Sequence, residues 1–128
     1  MGAYLLHLEL DSPIRLKVGA LGRIQLTAGR YVYVGSAKRN LIARIERHKR
    51  LAKRKEGSIH WHIDYLLVRR EATLVRVQTF PAEEECVLSQ RMARRKGMIV
   101  PIPRFGASDC KASCEAHLYS HRPHSRRV

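Results

Sequence analysis

A run of period two opens the chain and constrains it most. Tyr4, Leu6, Leu8 and Leu10 alternate with Leu5, His7 and Glu9. That period puts alternate side chains on opposite faces, so the segment reads as a half-buried strand. Asp11-Ser12-Pro13 breaks it. A strand needs partners, and the chain offers them. Leu16 and Val18 alternate with Arg15 and Lys17, Gly19 and Gly22 bracket a turn, and Ile24 and Leu26 alternate about Gln25. This predicts a hairpin. Ala28-Gly29 then precedes the β-rich run Tyr31-Val32-Tyr33-Val34, which stops at Gly35-Ser36.

Helical segments follow. Asn40 is a candidate N-cap, Leu41 to Lys55 are good helix formers, and Gly57 is the expected stop. Leu41, Ile45 and Ala52 fall on one stripe. Ile59 to Leu67 reads as a second short helix, Thr73 to Phe80 as a strand, and Glu83 to Lys96 as a helix with acids first and bases last, which suits the dipole. Ile99 to Ile102 is expected to be extended, with a short strand near Leu118. At 128 residues the chain is one domain with enough length for its own core.

The charge is uneven. Lys and Arg exceed Asp and Glu by 14, and residues 30–70 alone hold twelve basic and three acidic side chains, a net +9. A chain so basic is expected to meet a polyanion, nucleic acid first. The longest stretch free of Asp, Glu, Lys and Arg runs only from Met1 to Leu8, whereas a membrane span needs about 20 apolar residues. No basic-then-apolar leader opens the sequence. A cytoplasmic protein that meets no membrane is therefore expected. The last residues, 120–128, read as a basic mobile tail with Arg122, Arg126 and Arg127.

One constellation stands out. Tyr31-Val32-Tyr33-Val34-Gly35-Ser36 is followed by Leu41-x-x-Arg44-x-x-x-His48. Arg44 and His48 are one turn apart, on one helix face and flanking the apolar stripe, so both are expected at the edge of the core. An arginine there can hold a phosphate with its planar fork. The plainer alternative is a solvated helix face behind an ordinary strand tyrosine.

Gly2-Ala3-Tyr4 and Tyr33-Val34-Gly35 resemble the paired half-motifs of the GIY-YIG endonucleases, and Leu41-x-x-Arg44-x-x-x-His48 is similar to their helix motif. The closer resemblance is to the Uri-type branch, long carried as a domain of unknown function. It rests on Gly29-x-Tyr31-Val32-Tyr33-Val34-Gly35-Ser36-Ala37, His60-Trp61-His62-Ile63-Asp64-Tyr65-Leu66-Leu67 and Phe105-Gly106-x-Ser108-Asp109-Cys110. The resemblance spans Gly2 to about Tyr119 and so implies a nuclease domain over 1–119. The implied fold is α/β of the α+β type, a small central antiparallel sheet flanked by helices. The hairpin within Asp11 to Leu26 is an insertion relative to the wider superfamily.

The resemblance also implies metal-dependent cleavage of a phosphodiester. Tyr4 and Tyr33 would line the site, one of them helping to take a proton from the attacking water. Arg44 would stabilise charge on the phosphate, and His48 would carry a proton or contact the phosphate. A glutamate on the third helix would hold Mg²⁺ or Mn²⁺. Glu85 is the choice among Glu83, Glu84 and Glu85, because it shares a stripe with Leu88 and Met92 and precedes Cys86; Glu84 is second. A tyrosine with pKa near 10 is a poor base, so a cation or Arg44 would have to lower it.

Other clusters carry chemistry of their own. Cys110-x₃-Cys114-x₂-His117 has chelating spacing, and Cys86 could complete a zinc set; the alternative is a small buried hydrophobe and two reduced loop thiols. His60-x-His62-x-Asp64 invites a metallohydrolase reading, but a structural role with Trp61 and Leu66 packed inward is expected instead. Lys38, Arg39, Arg47, Lys49, Arg50, Lys53 and Arg54 are the expected phosphate contacts, with DNA ahead of RNA. Nothing in the sequence reads base edges, so backbone or structure recognition is expected. The rival function is a non-catalytic nucleic-acid-binding module on the same fold.

Overall fold

The computed structural model describes residues 2–37, 39–80, 85–106 and 116–121. Its elements are β1 (Gly2–Leu10), β2 (Ile14–Val18), β3 (Gly22–Leu26), β4 (Gly29–Ala37), α1 (Leu41–Arg54), α2 (His62–Leu67), β5 (Ala72–Phe80), α3 (Glu85–Ala93), β6 (Met98–Ile99) and β7 (Leu118–His121). Five strands form one sheet in the order β5-β1-β4-β7-β6, and each neighbouring pair is antiparallel. β2 and β3 form the separate hairpin that the alternation predicts. The fold is thus a small α+β domain built on an antiparallel sheet.

The opening alternation becomes a central strand, not a half-buried one. One face of β1 presents Tyr4, Leu6, Leu8 and Leu10 to a core shared with the hairpin, α1 and α2. The other presents Ala3 and Leu5 to Leu88 and Met92 of α3. Both faces are covered because β1 has a strand on each side and helices above and below. Only Glu9 is exposed, and His7 is half-buried.

β4 also departs from expectation. It does not stop at Gly35-Ser36 but runs to Ala37, with Gly35 paired opposite Tyr4. α1 starts as predicted, the Asn40 side chain accepting from the Ala43 amide at 3.1 Å. It ends at Arg54, before Gly57. Lys55 takes the left-handed cap conformation at φ 62°, and its ammonium donates to the carbonyls of Leu67 and Ala72. Those bonds tie the end of α1 to α2 and β5. Of the stretch expected to be extended over Ile99 to Ile102, only Ile99 lies in a strand, the two-residue β6. β7 runs two residues past Tyr119, Ser120 pairing with Tyr31 and Ile99; residues 122–128 of the expected tail lie outside the described residues. Among the described residues no helix is long and apolar enough to cross a membrane.

Candidate active site

A pocket opens where β1 begins and β4 ends, and two glycines make room for it. A Cβ on Gly35 would lie 2.4 Å from Cζ of Tyr4. Only glycine lets the Tyr4 ring cross β4 at that register position. Gly106, at φ +74°, does the same for Tyr33, since a Cβ there would lie 2.8 Å from Cε1 of that ring. Both tyrosines are buried in the core.

Two helix beginnings complete the wall. Arg44, in the first turns of α1, donates through Nη1 to the Ser36 carbonyl at 2.9 Å. The Ser36 hydroxyl donates to Oε1 of Glu85 at 3.2 Å, and Nδ1 of His117 lies 3.1 Å from Oε2. Glu85 is the first residue of α3, where the helix dipole favours a negative charge. Tyr4, Tyr33, Arg44, His48 and Glu85 all line this one pocket, together with Ser36, His60, Trp61, His62, Gly106 and His117. The two strands, α1 and α3 bring these distant residues together.

His48 is buried in the core, not at its edge, with 1% of its surface exposed. Its Nε2 is 2.7 Å from the Tyr4 hydroxyl. Burial pushes the Tyr4 pKa up to about 12, although the Arg44 guanidinium pulls the other way. Burial also raises Tyr33 well above the ordinary phenol range. The expectation that Arg44 would make a tyrosine more acidic is therefore reversed: desolvation of the phenolate outweighs the charge. Tyr4 keeps its proton, and its hydroxyl shares one hydrogen bond with Nε2 of His48. His48 is neutral, because burial lowers its pKa to about 4 against an opposing pull from Asp64. With its proton on Nδ1 the imidazole can accept from Tyr4 through Nε2, and Nδ1 lies 3.9 Å from Oδ1 of Asp64, beyond hydrogen-bond reach.

Asp64 is the residue whose part in the site the sequence reading missed. Its carboxylate takes a two-pronged contact from Arg47, Nη1 to Oδ1 at 3.1 Å and Nη2 to Oδ2 at 3.0 Å. The amides of His60 and Trp61 also donate to Oδ2. Burial would raise the Asp64 pKa, but these bonds outweigh it and hold the group below its ordinary value. The structural role expected of His60-x-His62-x-Asp64 is present in Asp64. His60, by contrast, precedes α2 and does not share a helix face with it. His62 accepts from the Gly106 amide through Nδ1 at 2.8 Å. Leu66 packs inward as expected, but Trp61 does not: it is 38% exposed. The arginines hold it there, Arg44 at 4.1 Å and Arg47 at 4.9 Å from the ring centre.

The remaining expectations fall elsewhere. Arg47 spends its fork on Asp64 and the Ser58 carbonyl, which ties it into the fold and away from the role of a free phosphate contact. Arg39, Lys49, Arg50, Lys53 and Arg54 are exposed and none lines the pocket. Lys49 and Lys53 instead border a groove against β5 with Arg70 and Arg76. Lys38, Glu83 and Glu84 lie outside the described residues. Of the zinc set, His117 is buried and turned to Glu85; Cys110, Cys114 and the side chain of Cys86 lie outside the described residues. Among the described residues no group of three or more His, Cys, Asp or Glu gathers as a metal site. Among the described residues Glu85 alone offers a hard carboxylate at the pocket wall, a donor that suits a cation retaining much of its water.

Compared with known families, residues 3–127 match the one described as Domain of unknown function DUF123. No curated protein and no solved structure matches the chain.

Proposed function

We propose that the chain, which belongs to the family Domain of unknown function DUF123, is a metal-dependent endonuclease of the GIY-YIG type and its Uri branch. One observation carries this reading. Tyr4, Tyr33, Arg44, His48 and Glu85, from distant parts of the chain, converge on a single pocket. On this reading Glu85 holds Mg²⁺ or Mn²⁺, which when bound supplies positive charge to offset that developing on the phosphate and leaving group.

The protein's own groups do the rest. Tyr4 takes a proton from water as it passes its own to Nε2 of His48, 2.7 Å away. The transfer leaves His48 charged, and Asp64 stands 3.9 Å from its other nitrogen to balance that charge. Arg44, fixed by the Ser36 carbonyl and the Trp61 face, presents charge to a phosphate in the pocket. Ser36 and His117 hold the Glu85 carboxylate in place. The net +9 over residues 30–70 draws a polyanion to the molecule.

Plasmid and labelled DNA and RNA, single- and double-stranded, incubated with Mg²⁺ or Mn²⁺ test the reading. Cleavage by the wild type, lost by 100-fold or more in Glu85→Gln with binding retained, is expected. Cleavage that persists in Glu85→Gln overturns the site. Binding without cleavage of any substrate by the wild type favours the non-catalytic module.

A further inference from the structure

The hairpin carries a second feature that the pocket does not use. In its register Ile14 pairs with Leu26, Leu16 with Ile24 and Val18 with Gly22, while Arg15 pairs with Gln25 and Lys17 with Arg23. The first set turns inward and packs on the core beside α2. The second set faces out, and Arg15, Lys17, Arg23 and Gln25 are all exposed. Lys17 and Arg23 are therefore like charges directly opposite one another, an arrangement that weakens a strand pair. No Asp or Glu occurs between Ile14 and Leu26. Among the described residues none of the three cations has a carboxylate partner.

We propose that the outer face of this hairpin is a second binding surface for the phosphodiester backbone, separate from the pocket. The proposal rests on the nucleic-acid reading above and names where the strand is held outside the site of cleavage. An anion between Lys17 and Arg23 turns the repulsion between them into shared attraction. Their Cβ atoms, as directly opposed residues, are about 5 Å apart, close enough for both to reach one phosphate. The hairpin packs on α2, whose His62 lines the pocket. Contacts of this kind read charge and spacing, not sequence.

Lys17→Glu separates binding from folding, because it places an opposite charge across from Arg23. Its melting temperature should equal or exceed that of the wild type. Its affinity for labelled single- and double-stranded oligonucleotides, measured by anisotropy in EDTA, should fall at least fivefold. The slope of log affinity against log salt should lose about one unit of magnitude for each phosphate contact removed. The double variant Lys17→Gln with Arg23→Gln, which removes the repulsion and adds no charge, should weaken binding likewise. Lys96→Glu, charge-matched and just beyond α3 on the other side of the sheet, should stay within twofold of the wild type. Wild-type affinity in Lys17→Glu, an equal fall in Lys96→Glu, or no binding of nucleic acid by the wild type overturns the proposal. Intact binding without cleavage overturns the nuclease reading alone and leaves the comparison of Lys17 with Lys96 decisive.

Discussion

Lowering the pH from 7 to 4.5 should cost the fold roughly 2–3 kcal/mol through His48 alone. In the unfolded chain this imidazole takes a proton near pH 6.5. In the native core it does so only near pH 4, because burial disfavours the cation more than Asp64 favours it. Between those values protons bind the unfolded chain in preference. Stability is thus whole above pH 6.5, falls by about 1.4 kcal/mol for each unit below it, and levels out once the native group titrates. At pH 4.5 most of that interval has been crossed. The Asp64 carboxyl is held below its ordinary value, so its contribution is lost only in stronger acid and stays intact in this window. Urea unfolding at the two pH values reads the effect. With a slope of about 1–3 kcal/mol per molar urea, the midpoint should drop by about 1 M or more. His48→Gln supplies the reference: it keeps a group able to meet the Tyr4 hydroxyl and cannot titrate. The wild type should lose 2–3 kcal/mol more than this variant between pH 7 and 4.5. Equal losses in the two proteins would refute the placement of a neutral His48 in the core.

Two further substitutions probe the supports of the site. Gly35→Ala would set a methyl 2.4 Å from Cζ of Tyr4, so the ring must move by about 1 Å; overpacking of this kind costs about 1–3 kcal/mol. Loss of the Tyr4–His48 bond should slow single-turnover cleavage by about 100-fold, and an unchanged rate would separate Tyr4 from the chemistry. Arg47→Ala strands a buried carboxylate and should destabilise the fold by about 3–5 kcal/mol in urea, whereas Arg50→Ala, on the exposed face of α1, should stay within about 0.5 kcal/mol.

Much of the scaffold was legible because it rests on local rules. Alternation marked β1, β2 and β3, and the Asn40 side chain marked the start of α1. Glu85 was picked from three adjacent glutamates by its stripe; Leu88 and Met92 of that stripe are buried and Glu85 lines the pocket, while Glu83 and Glu84 lie outside the described residues. What escaped depends on contacts across the chain. That β1 is covered on both faces follows from α3, more than seventy residues away in sequence. The helix ends within one residue of the expected Lys55, but the left-handed cap falls on Lys55 itself, whose ammonium meets carbonyls of Leu67 and Ala72, a contact no local signal shows. His117 drew attention through its spacing to cysteines; among the described residues it lies 3.1 Å from Glu85, and Cys110, Cys114 and the side chain of Cys86 lie outside them. No local signal tied Asp64 to His48, because α1 and α2 meet only in the folded chain.

The reversal at Tyr4 bears on how such a pocket can work at all. A phenol exposed beside an arginine would become more acidic and could act as a free base. Tyr4 is buried instead, and its pKa rises to about 12, so a free phenolate is scarce near neutral pH. The hydroxyl can accept a proton only while giving one up, and among the described residues the partner placed for that is Nε2 of His48 at 2.7 Å. His48 in turn must be neutral to accept, and its lowered pKa keeps it so. Once charged it would be a costly buried cation, which Asp64 offsets at 3.9 Å while Arg47 holds that carboxylate still. The same burial that makes Tyr4 a poor base in isolation thereby couples it to His48 and Asp64. Removing any one of the three should cost far more activity than its distance from the phosphate suggests, and the losses should not add, since each group acts only through the next.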